Sequence, residues 1–207
     1  MLEENLGMCG KMGRIIALYQ LYQKTDEEEW EKMAVKLLDE VLSSCNGSLS
    51  LSYKYGLLGV GIGLEWLFQN GFLNGERDEV LSDFDILATT AIIKRMIPKA
   101  EDVDGLLGLT CYFYYRLHYR KNEETLIVLK LKEHVLYLID WVIEKVQCTK
   151  LEEDIYIYYF MFVLLHQLNV CNAKIINIMS WCNNKIKEID INKDATNKYY
   201  NTITGGL

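Results

Sequence analysis

A short glycine motif recurs at a fixed interval along the chain. It begins as "GMCG" at Gly7 and returns as "GLLG" at Gly56 and again at Gly105, so both intervals are 49 residues. A repeat period of about 20–50 residues indicates an architecture in which one supersecondary unit stacks against the next. This period restricts the possible folds more than any other feature of the sequence.

Each motif is followed by the same two kinds of segment. The first is an apolar run: "RIIALYQLY", "GLEWLF" or "CYFYYRLHY". A polar turn then leads to a charged amphipathic segment: "DEEEWEKMAVKLLDEVLSS", "ERDEVLSDFDILATTAIIKRM" or "ETLIVLKLKEHVLYLIDWVIEKV". A helix that is apolar all round suits a buried inner layer, and an amphipathic helix suits an outer layer. Every unit is therefore predicted to be an αα-hairpin.

A fourth unit is predicted where the period reaches residue 154. The segment "DIYIYYFMFVLLHQL" starts there with Asp154 and Ile157 in place of the glycines, and "AKIINIMSWCNNKIKEI" follows it. The next step falls near residue 203, where Gly205 and Gly206 would open a fifth inner helix. The prediction is a single all-α domain over 1–207, built of αα-hairpins of about 49 residues. It forms a partial α/α toroid or an open solenoid, with inner helices starting near residues 8, 56, 105 and 154.

The motif glycines are predicted to be structural, since they stand where inner helices begin and converge. Glycine in a helix interior costs about 0.5–1 kcal/mol relative to alanine, but its lack of a Cβ lets neighbouring backbones approach closely. The alternative is that the free N–H groups of the inner helices bind an anion in a central cavity. The glycines concerned are Gly7, Gly10, Gly56, Gly59, Gly61, Gly105 and Gly108.

The charge balance excludes some partners. The formal net charge is −7 and no basic stripe is present, so we expect neither nucleic acid nor an anionic membrane surface as a partner. The most apolar segments, near 103–118 and 155–170, are interrupted by charged or histidine residues and fall short of the roughly 20 residues that cross a bilayer. The N-terminus does not resemble a signal peptide. The six cysteines are scattered along the chain without close pairs. We expect a cytoplasmic protein with reduced thiols.

The repeated segments resemble a known family. "GMCGKMGRIIALYQLYQKT", "YGLLGVGIGLEWLFQNGFL" and "DGLLGLTCYFYYRL" are similar to the repeated motif of lanthionine synthetase C-like proteins. The likeness covers residues 7–120 through the motif and 121–207 through periodicity alone. It implies part of an α/α toroid of about seven hairpins and a role in the maturation of ribosomally made peptides. In the family, zinc activates a substrate cysteine thiolate, which adds to a dehydrated residue to form a thioether ring.

The residues that would hold the zinc are missing from this chain. The family's ligands come from W-C-x-G and C-H-G motifs, whereas Trp181-Cys182 lacks the glycine and lies within a predicted outer helix. No Cys-His pair occurs, and His118, His134 and His166 stand alone on separate predicted helices. We therefore expect no metal and no cofactor in this chain, and no catalysis by the chain alone.

Two carboxylates are the remaining catalytic candidates. Glu65 interrupts an apolar inner helix and could face a central cavity as a general acid, and Asp154 is the other inner-helix carboxylate. The alternative for each is a structural role in which the carboxylate is exposed or hydrogen-bonded.

Three functions stay open: a lanthionine synthetase C-like protein without its catalytic half, a toroidal carbohydrate-active enzyme, and a helical-repeat interaction module. An open end exposes apolar inner helices, so we expect either a homodimer or a complex with a separate C-terminal half, joined through residues 154–207. We also expect a peptide substrate as a partner.

Overall fold

A computed structural model describes residues 5–45, 50–97 and 102–204, with the backbone alone described for residues 102, 153 and 191–204. These residues form helices and connecting turns, with no strand among them. The helices are α1 (Lys11–Thr25), α2 (Glu28–Ser44), α3 (Leu57–Gln69), α4 (Arg77–Val80), α5 (Ser82–Lys94), α6 (Asp102–His118), α7 (Leu126–Cys148), α8 (Glu152–His166) and α9 (Asn172–Thr204). The predicted all-α class is confirmed.

The first two helices of the chain form an antiparallel pair, and so do the last two. Helix α1 packs against α2, and an ion pair of 3.4 Å joins Lys11 at the start of α1 to Glu40 near the end of α2. Helix α8 packs against α9 in the same way, and the Tyr156 hydroxyl donates to Asp190 at 2.9 Å. Short polar turns permit these antiparallel pairs.

Helices α1, α3, α6 and α8 lie side by side in that order. All four run in the same direction, since Met12 at the start of α1 lies against Gly63 of α3 and Tyr19 later in α1 packs on Phe72 beyond the end of α3. The register of α3 and α6 is set by Glu65, which accepts from Arg116 at 3.1 Å. The Tyr114 hydroxyl of α6 reaches Gln167, directly after α8, at 2.9 Å. These four helices are called the inner row below.

Helices α5 and α7 lie beside the inner row, and we call them the outer helices. They contact each other, and α7 also contacts α6 and α8. An ion pair of 2.5 Å between Arg95 and Glu144 joins the ends of α5 and α7, which therefore run in parallel. One hydrophobic cluster is centred on α6, α7 and α8, and a smaller one lies between α1, α2 and α3.

The helix boundaries depart from the periodic expectation at three places. The inner-row helices begin at residues 11, 57, 102 and 152 rather than near 8, 56, 105 and 154. The second amphipathic segment is broken at Leu81, whose backbone (φ −92°, ψ 1°) leaves the helix while its side chain is fully buried. Helix α9 continues to Thr204, so no new helix opens near residue 203, and Gly205 and Gly206 lie outside the described residues.

The motif glycines stand where neighbouring segments touch. A Cβ added to Gly59 would lie 2.2 Å from the carbonyl oxygen of Tyr53 and 2.9 Å from the Cα of Gly7. A Cβ on Gly7 would meet the carbonyl oxygen of Lys54 at 2.7 Å, and one on Gly108 would meet that of Leu51 at 3.0 Å. Two copies of the motif thus contact each other directly. The space for a side chain is absent because backbone occupies it.

No helix in the described part of the chain combines the length and the apolar character that crossing a bilayer requires.

Candidate functional site

The most unusual chemical feature of the structure is a charged side chain buried in the inner row. Arg116 lies in the last part of α6 and is fully buried. Its Nη1 donates to Glu65 of α3, which is also fully buried, at 3.1 Å. A buried charge is tolerated only where it is paired and its hydrogen-bonding groups are satisfied. The remaining partners of Arg116 come from the segment between residues 77 and 94.

Asp85 of α5 binds the same guanidinium through both oxygens. Arg116 donates from Nε to Oδ1 at 3.0 Å and from Nη2 to Oδ2 at 2.7 Å, in the planar fork geometry that arginine favours. The Tyr112 hydroxyl, one helical turn earlier, donates to Asp85 at 2.6 Å. Burial and the charge of Asp85 hold the pKa of Tyr112 well above its usual range. Burial disfavours the charged guanidinium, but the hydrogen bonds and charge of Asp85, together with Tyr112 and Glu65, outweigh that effect and raise the pKa of Arg116.

Asp78 extends the cluster to a second arginine. It accepts from Arg116 at 3.0 Å and from Arg120 at 2.6 and 3.0 Å. Burial favours the neutral acid, yet the hydrogen bonds from Arg120 and Arg116 outweigh it and lower the pKa of Asp78. Arg120 also binds Glu123 at 2.8 Å. We call the group of Glu65, Asp78, Asp85, Arg116 and Arg120 the Arg116 cluster.

The fully buried carboxylate of Glu65 accepts three hydrogen bonds from neighbouring side chains. Besides Arg116, it accepts from Gln69 at 2.8 Å and from Arg77 at 3.3 Å. The Gln69 amide also donates to the backbone oxygen of Tyr115, which ties α3 to α6. The surroundings of Glu65 are those of a structural ion pair.

The structure does not bring Asp154 near Glu65. Asp154 lies in the first turn of α8 and accepts from the Thr149 hydroxyl at 3.3 Å. Glu65 is level with Arg116, near the C-terminal end of α6. Gln167, directly after α8, is level with Tyr114 of the same α6 segment, and Asp154 precedes Gln167 by 13 residues. At 1.5 Å per residue this is a separation of about 20 Å along the helices. The two carboxyl groups of a glycosidase lie about 5–9.5 Å apart.

The cysteines and histidines form no metal centre within the residues that the structure describes, since no group of three potential ligands converges there. Cys182 is buried, and burial raises its pKa to about 11. Burial also raises the pKa of Cys111 to about 12. His118 lies among Tyr114 and Tyr119, with its pKa lowered by burial and by Lys121. His134 lies on α7, away from the inner row.

Most of the Arg116 cluster was missed by sequence reasoning. Glu65 was singled out because it interrupts an apolar helix, and the same signal is present at Arg116 within "CYFYYRLHY". Two opposite charges on equivalent apolar helices, one repeat apart, are a pattern that favours a buried pair. Asp78 and Asp85 carry no such signal, because they belong to a segment rich in acidic residues.

Comparison of the chain with protein-family models, with curated proteins and with solved structures gives no significant match.

Proposed function

We propose that this chain is a lanthionine synthetase C-like helical-repeat protein that binds peptides and does not by itself close thioether rings. The proposal assigns it to the maturation of ribosomally made peptides in the cytoplasm. The observation that carries it is the contact between motif copies, where Gly59 of the second motif leaves no room for a Cβ beside Gly7 of the first. The family's motif likewise recurs at the beginning of its inner helices.

The arrangement of the inner row supports a partial α/α toroid. Four helices run in parallel, three of them follow a glycine motif or contain one, and the amphipathic helices lie to one side. The side chains exposed at the C-terminal end of α6 suit a peptide. Tyr119 is 73 % exposed and its ring packs edge-on against His118, within a group that includes Tyr114 and Tyr115. Aromatic rings with a polar tip are frequent in peptide-binding surfaces.

The proposed absence of ring-closing chemistry rests on the positions of the cysteines that would have to bind zinc. The two cysteines with the largest rises in thiol pKa, Cys111 and Cys182, are buried on different helices. A zinc ligand must be deprotonated and must converge with others on one point. Cys111 and Cys182 belong to no group of three potential ligands among the described residues.

The test uses a fluorescein-labelled synthetic peptide that contains one dehydroalanine and one cysteine. We expect saturable binding by fluorescence anisotropy, weakened at least fivefold by Tyr119→Ser. The matched control is Leu126→Ser at the start of α7, since Leu126 is 68 % exposed but lies outside the inner row. Equal affinities of the two variants, or no saturable binding at all, would contradict peptide binding at this end of the inner row.

The same mixture tests the catalytic part of the proposal. Addition of a thiol to dehydroalanine forms a C–S bond and moves the thiol proton to carbon, so the peptide mass stays constant. Ring closure is therefore measured as loss of the free thiol by iodoacetamide labelling. We expect full labelling with the chain alone, with or without added zinc. Loss of labelling that needs zinc and is abolished by Cys182→Ser would overturn the non-catalytic assignment.

The carbohydrate-active alternative is not favoured by a specific observation, because Glu65 and Asp154 are about 20 Å apart along the helices.

For the open end we propose a homodimer or a complex with a separate C-terminal half through residues 154–207. Helix α8 supports this, since Tyr156 and Phe160 are 38 % and 50 % exposed one turn apart.

A further inference from the structure

A groove between the outer helices α5 and α7 has no role in the proposed function. It encloses about 440 Å³ and is lined by Ile92, Ile93, Arg95, Glu133, His134, Tyr137 and Asp140. Its apolar part is unusual for a surface, since Ile93 is 66 % exposed and Tyr137 is 53 % exposed. The buried Ile92 forms the floor between them.

The apolar surface continues along both helices beyond the groove. Ile86 lies seven residues before Ile93 on α5, hence on the same helical face, and is 63 % exposed. Leu129 and Leu136 lie on the exposed face of α7 and are 50 % and 43 % exposed. Two parallel helices thus present adjacent apolar stripes. A stripe pair of this kind accepts an amphipathic helix laid between them.

The polar lining defines the charge of the occupant. Arg95 is neutralised by Glu144, and Asp140 is bound by Lys174. The exposed Glu133 has no ion-pair partner among the described residues, and it leaves a negative charge at the rim. The His134 Nδ1 lies 2.7 Å from the carbonyl oxygen of Lys130 on the same helix, so this nitrogen donates to the backbone.

These groups together fit a cationic side chain. A lysine or arginine near Glu133 gains a charge-assisted hydrogen bond, and the face of the Tyr137 ring attracts the same cation. The net charge of −7 also favours the approach of a basic partner. We propose that the groove between α5 and α7 docks a basic amphipathic helix of another protein. Its apolar residues cover Ile93, and one of its basic residues pairs with Glu133.

The probe is a fluorescein-labelled amphipathic 18-residue peptide of leucine and lysine, compared with the same peptide carrying glutamate for lysine. We expect the basic peptide to bind with one-site saturation and the acidic peptide at least tenfold more weakly. Ile93→Ser and Glu133→Gln are each expected to weaken the basic peptide at least fivefold. Both residues are exposed, so the variants should keep the circular dichroism spectrum of the parent.

Two matched variants separate docking from general attraction of a basic peptide to an acidic protein. Leu42→Ser removes an apolar side chain that is 46 % exposed on α2, and Glu29→Gln removes an exposed charge of the same helix. Both should leave the affinity within twofold of the parent. Equal losses in the groove and control variants would overturn the proposal. So would a dimer, measured by light scattering, that Ile93→Ser dissociates, because the occupant would then be a second copy of the chain.

Discussion

The stability of the centre of the inner row depends on Arg116 and Glu65. Each is buried, and the two form an ion pair across the contact between α3 and α6, while Asp85 binds the same guanidinium through both of its oxygens. Removal of one partner from a buried ion pair leaves an uncompensated charge, which costs more than the net stability that the intact pair contributes. The consequences of substitution should therefore be asymmetric.

The first prediction is that Arg116→Met lowers the free energy of unfolding by about 3–5 kcal/mol, measured by urea denaturation. Arg95→Met is the matched control, because Arg95 forms an ion pair with Glu144 in which both side chains are about half exposed. An exposed pair contributes about 0–1 kcal/mol. The double variant Glu65→Leu with Arg116→Met should be more stable than Arg116→Met alone. Equal stability of the Arg116 and Arg95 variants would contradict the structural role of the cluster.

The second prediction concerns pH and Asp78. Its pKa is lowered by Arg120 and Arg116 against the effect of burial. A carboxyl group with a lowered pKa in the folded state contributes stability above its unfolded value, near 3.8, and loses that contribution as the pH falls through the folded value. Unfolding followed between pH 5 and pH 2 should therefore show a shallower loss of stability for Asp78→Asn than for the parent. Glu29→Gln, on an exposed position of α2, should not change the slope.

At the scale of the elements, the position of α3 against α1 is decided by the absence of a side chain. A Cβ on Gly59 would meet backbone atoms of Tyr53 and Gly7, which cannot turn aside. A Cβ on Gly63 would meet Cγ and Sδ of the buried Met12 at 2.1 and 2.4 Å, so that side chain, rather than backbone, would have to change its rotamer within the core. The two glycines thus occupy one helix face but differ in what surrounds them.

The third prediction follows from this difference. Alanine in a helix interior normally gains about 1 kcal/mol over glycine. Gly59→Ala should instead lower the unfolding free energy by at least about 2 kcal/mol, because overpacking against backbone forces the helices apart. Gly63→Ala should cost less than half of that. Thermal and urea unfolding of the two variants provide the comparison, and equal losses would show that backbone contact is not the reason for the motif glycine.

At the level of the whole molecule, α8, the last helix of the inner row, has different neighbours from α6. Helix α6 is covered by α3 on one side and by α8 on the other, whereas α8 is contacted by α6, α7 and α9. Tyr156 and Phe160 remain exposed on α8, and the half-buried Ile157 lies beside them. A further helix on this surface would bury side chains that now contact water.

The fourth prediction tests the proposed association through residues 154–207. At micromolar concentration, light scattering should give a molar mass of about twice the 24.1 kDa of the chain if the partner is a second copy. Phe160→Glu should then give the monomer mass, because a charge would be placed in an apolar contact. Leu126→Glu, on a residue more exposed than Phe160, should leave the dimer intact. A monomer that binds no dye specific for exposed apolar surface would argue against both forms of the partner.

The all-α class and the succession of helices could be predicted from the sequence, because hydrophobic periodicity is local. The motif at Gly7, Gly56 and Gly105 placed three inner helices to within a few residues. The break at Leu81 could not be predicted, since the same apolar pattern runs through it, and the burial of that side chain at the break is a tertiary feature.

The apolar runs around Glu65 and Arg116 are enough to mark these two residues as exceptional, because a charge within an apolar helix must be either paired or exposed. Their pairing with each other, across 51 residues, follows from the packing of the helices, and so does the participation of Asp78 and Asp85. The reason is physical. An unpaired charge is visible in local composition, whereas the identity of its partner depends on which helices lie side by side and in what register.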